Sequence, residues 1–175
     1  TMRGYRKRPG TQGFSVPLVG ASLFFIISLF LFASYKNSAY QQAKKEIYSL
    51  YTANRAFDLD EVYQDGLTAI YAKEYGKTAT EAGCEALEQT GLPYVLLLSQ
   101  FSTPVERVYV TNCQLSEMGR EKKARTYDYT VSVRFCLEKG DEVLAPEKTM
   151  DFHGTVVMKK KGWFRWLLDG VTLGE

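Results

Sequence analysis

The residue groups with the chemistry for a site are few, and each has a pattern against which to judge it. Gly76-Lys77-Thr78 has the ending of a phosphate-binding loop. Such a loop also needs a glycine five residues before its second glycine, so that backbone N–H groups can wrap the phosphates. Tyr71 stands there, and no phosphate site is expected. The single histidine, His153, alternates with Phe152 and is read as a solvated strand residue rather than an acid–base catalyst. Cys84, Cys113 and Cys136 form no C-x-x-C pair, and with one histidine they make no zinc site. Neither G-x-S-x-G nor H-E-x-x-H occurs. Asp58, Asp60, Glu61 and Asp65 are oxygen donors of the kind calcium takes, but they lack the loop glycine and terminal glutamate of an EF-hand. They fit better as the acidic first turn of a helix, accepting its free N–H groups.

Lys159, Lys160, Lys161, Trp163, Arg165 and Trp166 remain, a basic and aromatic hairpin. Lysines neutralise phosphates and tryptophans stack on bases, so contact with DNA is one reading. A charged turn whose flanking aromatics pack into a core is the simpler one. The expectation is therefore no enzyme, no cofactor and no metal site. A net charge of +2 over 175 residues also argues against a protein built to coat nucleic acid.

The elements around these residues divide the chain. Residues 1–13 are a short basic tail with Arg3, Arg6, Lys7 and Arg8. Residues 14–35 carry no charge, and no acid appears before Glu46. A helix over residues 14–35 rises about 33 Å, enough for a hydrocarbon core of about 30 Å. The apolar run is too long for a signal peptide, and no small-residue cleavage pattern follows it. The basic flank sets the N-terminus in the cytoplasm and residues 36–175 outside the membrane.

Residues 36–104 read as an exported helical region. Lys36 to Arg55 holds no glycine or proline, and Tyr40, Ala43, Ile47, Leu50 and Phe57 make one helical stripe. One continuous helix is expected from about Val16 to about Phe57, half in lipid and half amphipathic. A second helix is expected from Asp58 through Val62, Tyr63, Leu67, Ile70 and Tyr71 to Gly76. A third runs from Thr80 to Gln89 with Gly91 as its C-cap.

Residues 105–175 turn to period two. Strands are expected at Arg107 to Leu115, Thr126 to Leu137, Met150 to Met158, and in two pieces at Trp163 to Leu168 and Val171 to Leu173. Tyr127, Tyr129, Val131, Val133 and Phe135 form the inward row of the second strand. Short links make an antiparallel meander, and the amphipathic half of the first helix is its natural cover. With a turn near residue 121, Cys113 sits near Tyr129 on the inner face and Cys136 on the outer one. The two are not expected to bond, while Cys84 stays open as a partner for either. The fold class is α+β.

Lys7-Arg8-Pro9-Gly10-Thr11-Gln12-Gly13-Phe14-Ser15-Val16-Pro17 resembles the N-terminus of a type IV prepilin. The resemblance implies cleavage by a prepilin peptidase after Gly13 and methylation of Phe14. It implies a pilin-like fold and a filament or pseudopilus subunit working with other pilins and an inner-membrane assembly platform, in adhesion, DNA uptake or secretion. Major pilins carry Glu at mature position five, where this chain has Leu18. That departure is similar to minor pseudopilins of the type II secretion K class and of competence systems, which are placed at filament tips. Asn54-Arg55-Ala56-Phe57 followed by Asp60-Glu61 is similar to a segment of the PilX-like group.

The alternative is a bitopic scaffold with an NTF2-like or VirB8-like exported domain, as in conjugation or secretion machinery. The first helix separates the two: a pilin keeps one rod, whereas the scaffold breaks near residues 36–40. The absence of a glycine or proline there favours the pilin. A TadE-like pseudopilin shares the membrane-anchored plan but usually keeps the glutamate missing at Leu18.

Overall fold

The computed structural model describes residues 16–52, 63–92, 105–137 and 147–174. It divides into two compact units, Thr1–Tyr35 and Lys36–Glu175. Helix α1 spans Val16–Lys36 and makes up the described part of the first unit, with Lys36 at the boundary. None of its Val19–Lys36 stretch is buried inside the protein, although the stretch is long and apolar enough to cross a membrane. Side chains such as Phe24 (74% exposed) and Phe25 (64%) are left bare, a surface suited to lipid rather than to water.

The helix does not continue. Asn37 and Ser38 are non-helical, and α2 begins at Ala39 and ends at Thr52. Ser38 caps the new helix. Its Oγ accepts from the Gln41 N–H at 3.3 Å, and its carbonyl accepts from the Gln42 N–H at 3.0 Å. This corrects the single helix expected from Val16 to Phe57. Serine is tolerated in a helix, so it escapes a search for glycine and proline, but its hydroxyl competes for backbone N–H groups and favours a cap. The far end of that expected helix, from residue 53 to Phe57, lies outside the described residues, as do Asp58, Asp60 and Glu61.

The second expected helix is also divided. Residues 63–65 are helical, Gly66 adopts φ 80°, and α3 spans Leu67–Tyr75. Helix α4 spans Glu81–Thr90, with Thr80 as N-cap and Gly91 left-handed at φ 71°, as the sequence indicates. The Thr80 hydroxyl accepts from the Gly83 N–H at 3.1 Å and donates to Asp169 Oδ1 at 2.6 Å. Gly83 permits the close crossing, since a Cβ there would lie 2.1 Å from the Leu168 carbonyl oxygen.

The sheet contains β1 (Val105–Arg120), β2 (Ala124–Leu137), β3 (Glu147–Lys160) and β4 (Trp166–Leu173), antiparallel in that order. All five inward residues of β2, from Tyr127 to Phe135, are buried. Helix α2 covers them with Ala39, Ala43, Ile47, Leu50 and Tyr51. The β1–β2 turn closes between Arg120 and Arg125, later than a turn centred near residue 121, and this sets Cys113 opposite Val131, while Leu115 faces Tyr129. Cys113 is buried on the inner face as expected, opposite the residue two along β2 from Tyr129. Cys84 and Cys113 are both buried free thiols.

A hydroxyl relay lies at the centre of the core. The Tyr129 hydroxyl donates to the Thr172 carbonyl at 3.0 Å, leaving its lone pair to receive the Tyr51 hydroxyl at 2.9 Å. Gly154 faces Tyr129 across the sheet. A Cβ there would lie 2.0 Å from the Thr172 oxygen and 2.6 Å from the Tyr129 hydroxyl.

Chemical unfolding of the chain in detergent should therefore show a graded series. Tyr51→Phe should cost about 1 kcal/mol, because Tyr129 keeps its acceptor. Tyr129→Phe should cost more, because the Tyr51 hydroxyl and the Thr172 carbonyl both lose a partner. Gly154→Ala should cost about 3 kcal/mol through overpacking. Equal costs for the two tyrosine variants would contradict the relay.

Glu46 on α2 has its pKa raised by burial, partly offset by Lys45. A carboxyl raised in the folded state contributes stability below its ordinary value near 4.5, and that contribution is lost as pH rises through the folded value. Glu46→Gln should remove this loss and raise stability at neutral pH. Melting temperatures followed from about pH 4 to 7 would show a flatter profile for the variant.

Candidate functional site

An antiparallel meander places alternate turns at the same end of its sheet. Here the β1–β2 turn and the β3–β4 turn meet. The first is closed by the Glu121 N–H to the Ala124 carbonyl at 3.0 Å. The second is closed by the Lys161 N–H to the Arg165 carbonyl at 2.7 Å, with Gly162 at φ 75° supplying the left-handed residue. The Lys160 N–H to Lys123 carbonyl bond, 2.7 Å, joins the two turns. Together, Lys122, Lys123, Lys160, Gly162 and Trp163 line an open hollow of about 460 Å³.

The cations at this end divide by partner. Arg120 holds Glu117 through Nε–Oε1 at 2.6 Å and Nη2–Oε2 at 3.1 Å, and this bond keeps the Glu117 carboxyl below its usual range. Lys159 reaches Asp169 at 3.6 Å. Arg165 donates to the Lys77 carbonyl. The Arg125 guanidinium lies 5.4 Å from the centre of the Trp166 ring and the Lys160 ammonium 6.0 Å, within cation–π range. Lys122, Lys123 and Lys161 are exposed or half-exposed and make no ion pair among the described residues.

The two tryptophans separate. Trp166 packs against the core, as the simpler reading of the hairpin expects. Trp163 is 86% exposed, and Phe164 beside it 43%. Of the sequence-chosen cations, Lys160 and Lys161 stay on the open face, while Lys159 and Arg165 are engaged by the fold. Lys122 and Lys123 were not singled out in the sequence. Their signal was the expected pairing across a turn near residue 121, which places that turn beside the lysine-rich hairpin. Chemically, the arrangement supplies positive charge and a bare indole, a surface for holding anions.

The other candidates are dispersed. His153 is exposed, its Nδ1 3.1 Å from Thr130 Oγ1. Asp65 is exposed. Gly76 caps α3, donating its N–H to the Ala72 carbonyl. Among the described residues, no group of three or more His, Cys, Asp or Glu is placed to hold a metal ion. Gly13 and Phe14 lie outside the described residues, and Leu18 is described only as part of α1. Comparison with family models, with curated proteins and with solved structures finds no match.

Burial pushes the Cys84 and Cys113 thiols above their ordinary range, so thiolate, the reactive form, is scarce at neutral pH. In a Cys136→Ser chain, a thiol reagent should label neither cysteine quickly while the protein is folded, and both after denaturation. Rapid labelling of the folded chain would contradict the buried placement.

Proposed function

We propose that the protein is a non-catalytic, single-pass membrane subunit whose exported domain serves as a scaffold in an envelope-spanning conjugation or secretion apparatus. The observation that carries this reading is the Ser38 cap, which ends the apolar helix at Lys36 and starts α2 at Ala39. A rod-like pilin needs an unbroken helix there, whereas an NTF2-like or VirB8-like scaffold has a break. Helices followed by a four-stranded meander suit the scaffold as well. The basic N-terminal flank sets the domain outside the membrane. Its partners would be other membrane components of the apparatus and the lipid bilayer.

A specific observation favours a second reading. Gly13-Phe14 after a basic stretch has the form of a prepilin junction, and Leu18 fits a minor, tip-located pilin. That reading adds prepilin peptidase and other pilins as partners.

Mass and N-terminal measurement on chain purified from its native host discriminates between them. The scaffold reading expects residues 1–13 to remain attached while a prepilin peptidase is present. A mature chain beginning at N-methyl-Phe14 would overturn it in favour of the minor pilin.

A further inference from the structure

The sheet end that carries the exposed lysines is also the end near which α2 starts. Helix α2 runs along β2 in the same direction. Near its start, the Tyr40 ring lies 6.0 Å from Tyr127. Near its end, the Tyr51 ring lies 5.9 Å from Tyr129 and 5.3 Å from Phe152, and Phe152 pairs with Val131. The start of α2 is therefore level with the start of β2. From Tyr127 to Ala124 is about 10 Å of strand, and Ala124 pairs with Lys159. Two residues, Asn37 and Ser38, separate the last residue of the apolar helix from α2, at most about 11 Å of chain.

From this placement we infer that the end formed by Lys122, Lys123, Lys160, Lys161 and Trp163 docks on the headgroups of an anionic bilayer. The inference rests on the reading of α1 as a membrane span. Three observations select lipid as the occupant. Three lysines, Lys122, Lys123 and Lys160, line one hollow with the exposed Lys161 beside it, although the whole chain is nearly neutral. Trp163 is bare, and an indole beside lysines is the combination that settles at the headgroup level. Only Asn37 and Ser38 lie between the apolar helix and α2, so a chain anchored by α1 meets lipid at high effective concentration and modest attraction suffices. Of the described acids nearby, Glu117 and Asp169 are engaged by Arg120 and Lys159, and the exposed Glu121 offsets one of the lysine charges.

The full chain is reconstituted in nanodiscs of phosphatidylcholine alone or mixed with phosphatidylglycerol, each doped with lipid brominated near the headgroup. The chain has two tryptophans, so the Trp163 signal is the quenching lost in Trp163→Phe. Expected is Trp163 quenching severalfold greater in the anionic discs, reduced by high salt. Lys122→Gln, Lys123→Gln, Lys160→Gln and Lys161→Gln combined should bring it to the neutral-disc level with the circular dichroism spectrum unchanged. Equal quenching in the two lipids, or none in either, overturns the docking. So does quenching that ignores lipid charge while added single-stranded DNA shifts Trp163 emission, which assigns the end to nucleic acid. Alkaline extraction separates the underlying reading: a chain that leaves the bilayer overturns the anchor and the docking together, whereas an integrated chain with unquenched Trp163 overturns the docking alone.

Discussion

The Tyr51 hydroxyl donating to Tyr129, and Tyr129 donating to Thr172, ties α2, β2 and β4 at a single buried point. The surrounding core is apolar: Ile47, Leu50, Val131, Val133, Phe135 and Val156 are all essentially inaccessible. Each such side chain contributes about 1.5–3 kcal/mol when removed from water, without fixing where the helix must lie. The two hydroxyls do fix it. Each would be costly to bury without a partner; Tyr129 has its acceptor within the sheet, and α2 lies where the Tyr51 hydroxyl finds its own. Burial raises the pKa of both tyrosines, so the relay stays neutral across the physiological range. Gly154 leaves the space in which it forms.

With α2 fixed in direction, the rest of the domain acquires a polarity. The start of α2, the β1–β2 turn and the β3–β4 turn fall near one end. Close to that end, α4 is joined to the edge of the sheet rather than to its centre. Thr80 donates its N–H to the Leu168 carbonyl at 2.8 Å, and the Leu168 N–H returns to Thr78 at 2.9 Å. The Thr80 hydroxyl thus serves two ends at once, capping α4 and holding Asp169, which in turn engages Lys159. The positive end is consequently selective about which of its charges remain available.

Much of this was legible in the residues. Period-two runs gave the four strands, because one face of each must be buried and the other wet, and the inward row from Tyr127 to Phe135 was correct residue by residue. Thr80 and Gly91 marked α4 through cap chemistry that is local to the chain. What was hidden required partners distant in sequence or a subtler competitor. Ser38 ends a helix without being a strong breaker. The β1–β2 turn closes between Arg120 and Arg125, a residue or two later than periodicity alone shows, so Cys113 pairs with Val131 rather than Tyr129. Lys122 and Lys123 became part of the candidate site only once pairing set them beside Lys160. Trp163 and Trp166, three residues apart in the sequence, have different fates because the first lies in the turn after Gly162 and β4 begins at the second.

The division between α1 and α2 decides whether the domain is carried on a rod or on a tether, and backbone hydrogen exchange resolves it directly. A helix that restarts at Ala39 leaves its first amides without intrahelical acceptors. In the full chain in nanodiscs, the Ala39 and Tyr40 amides should exchange far faster than those of Leu29 to Ala33 and of Ile47 to Leu50. Uniform protection from Leu29 through Leu50 would mean one continuous helix, and would contradict the tethered scaffold.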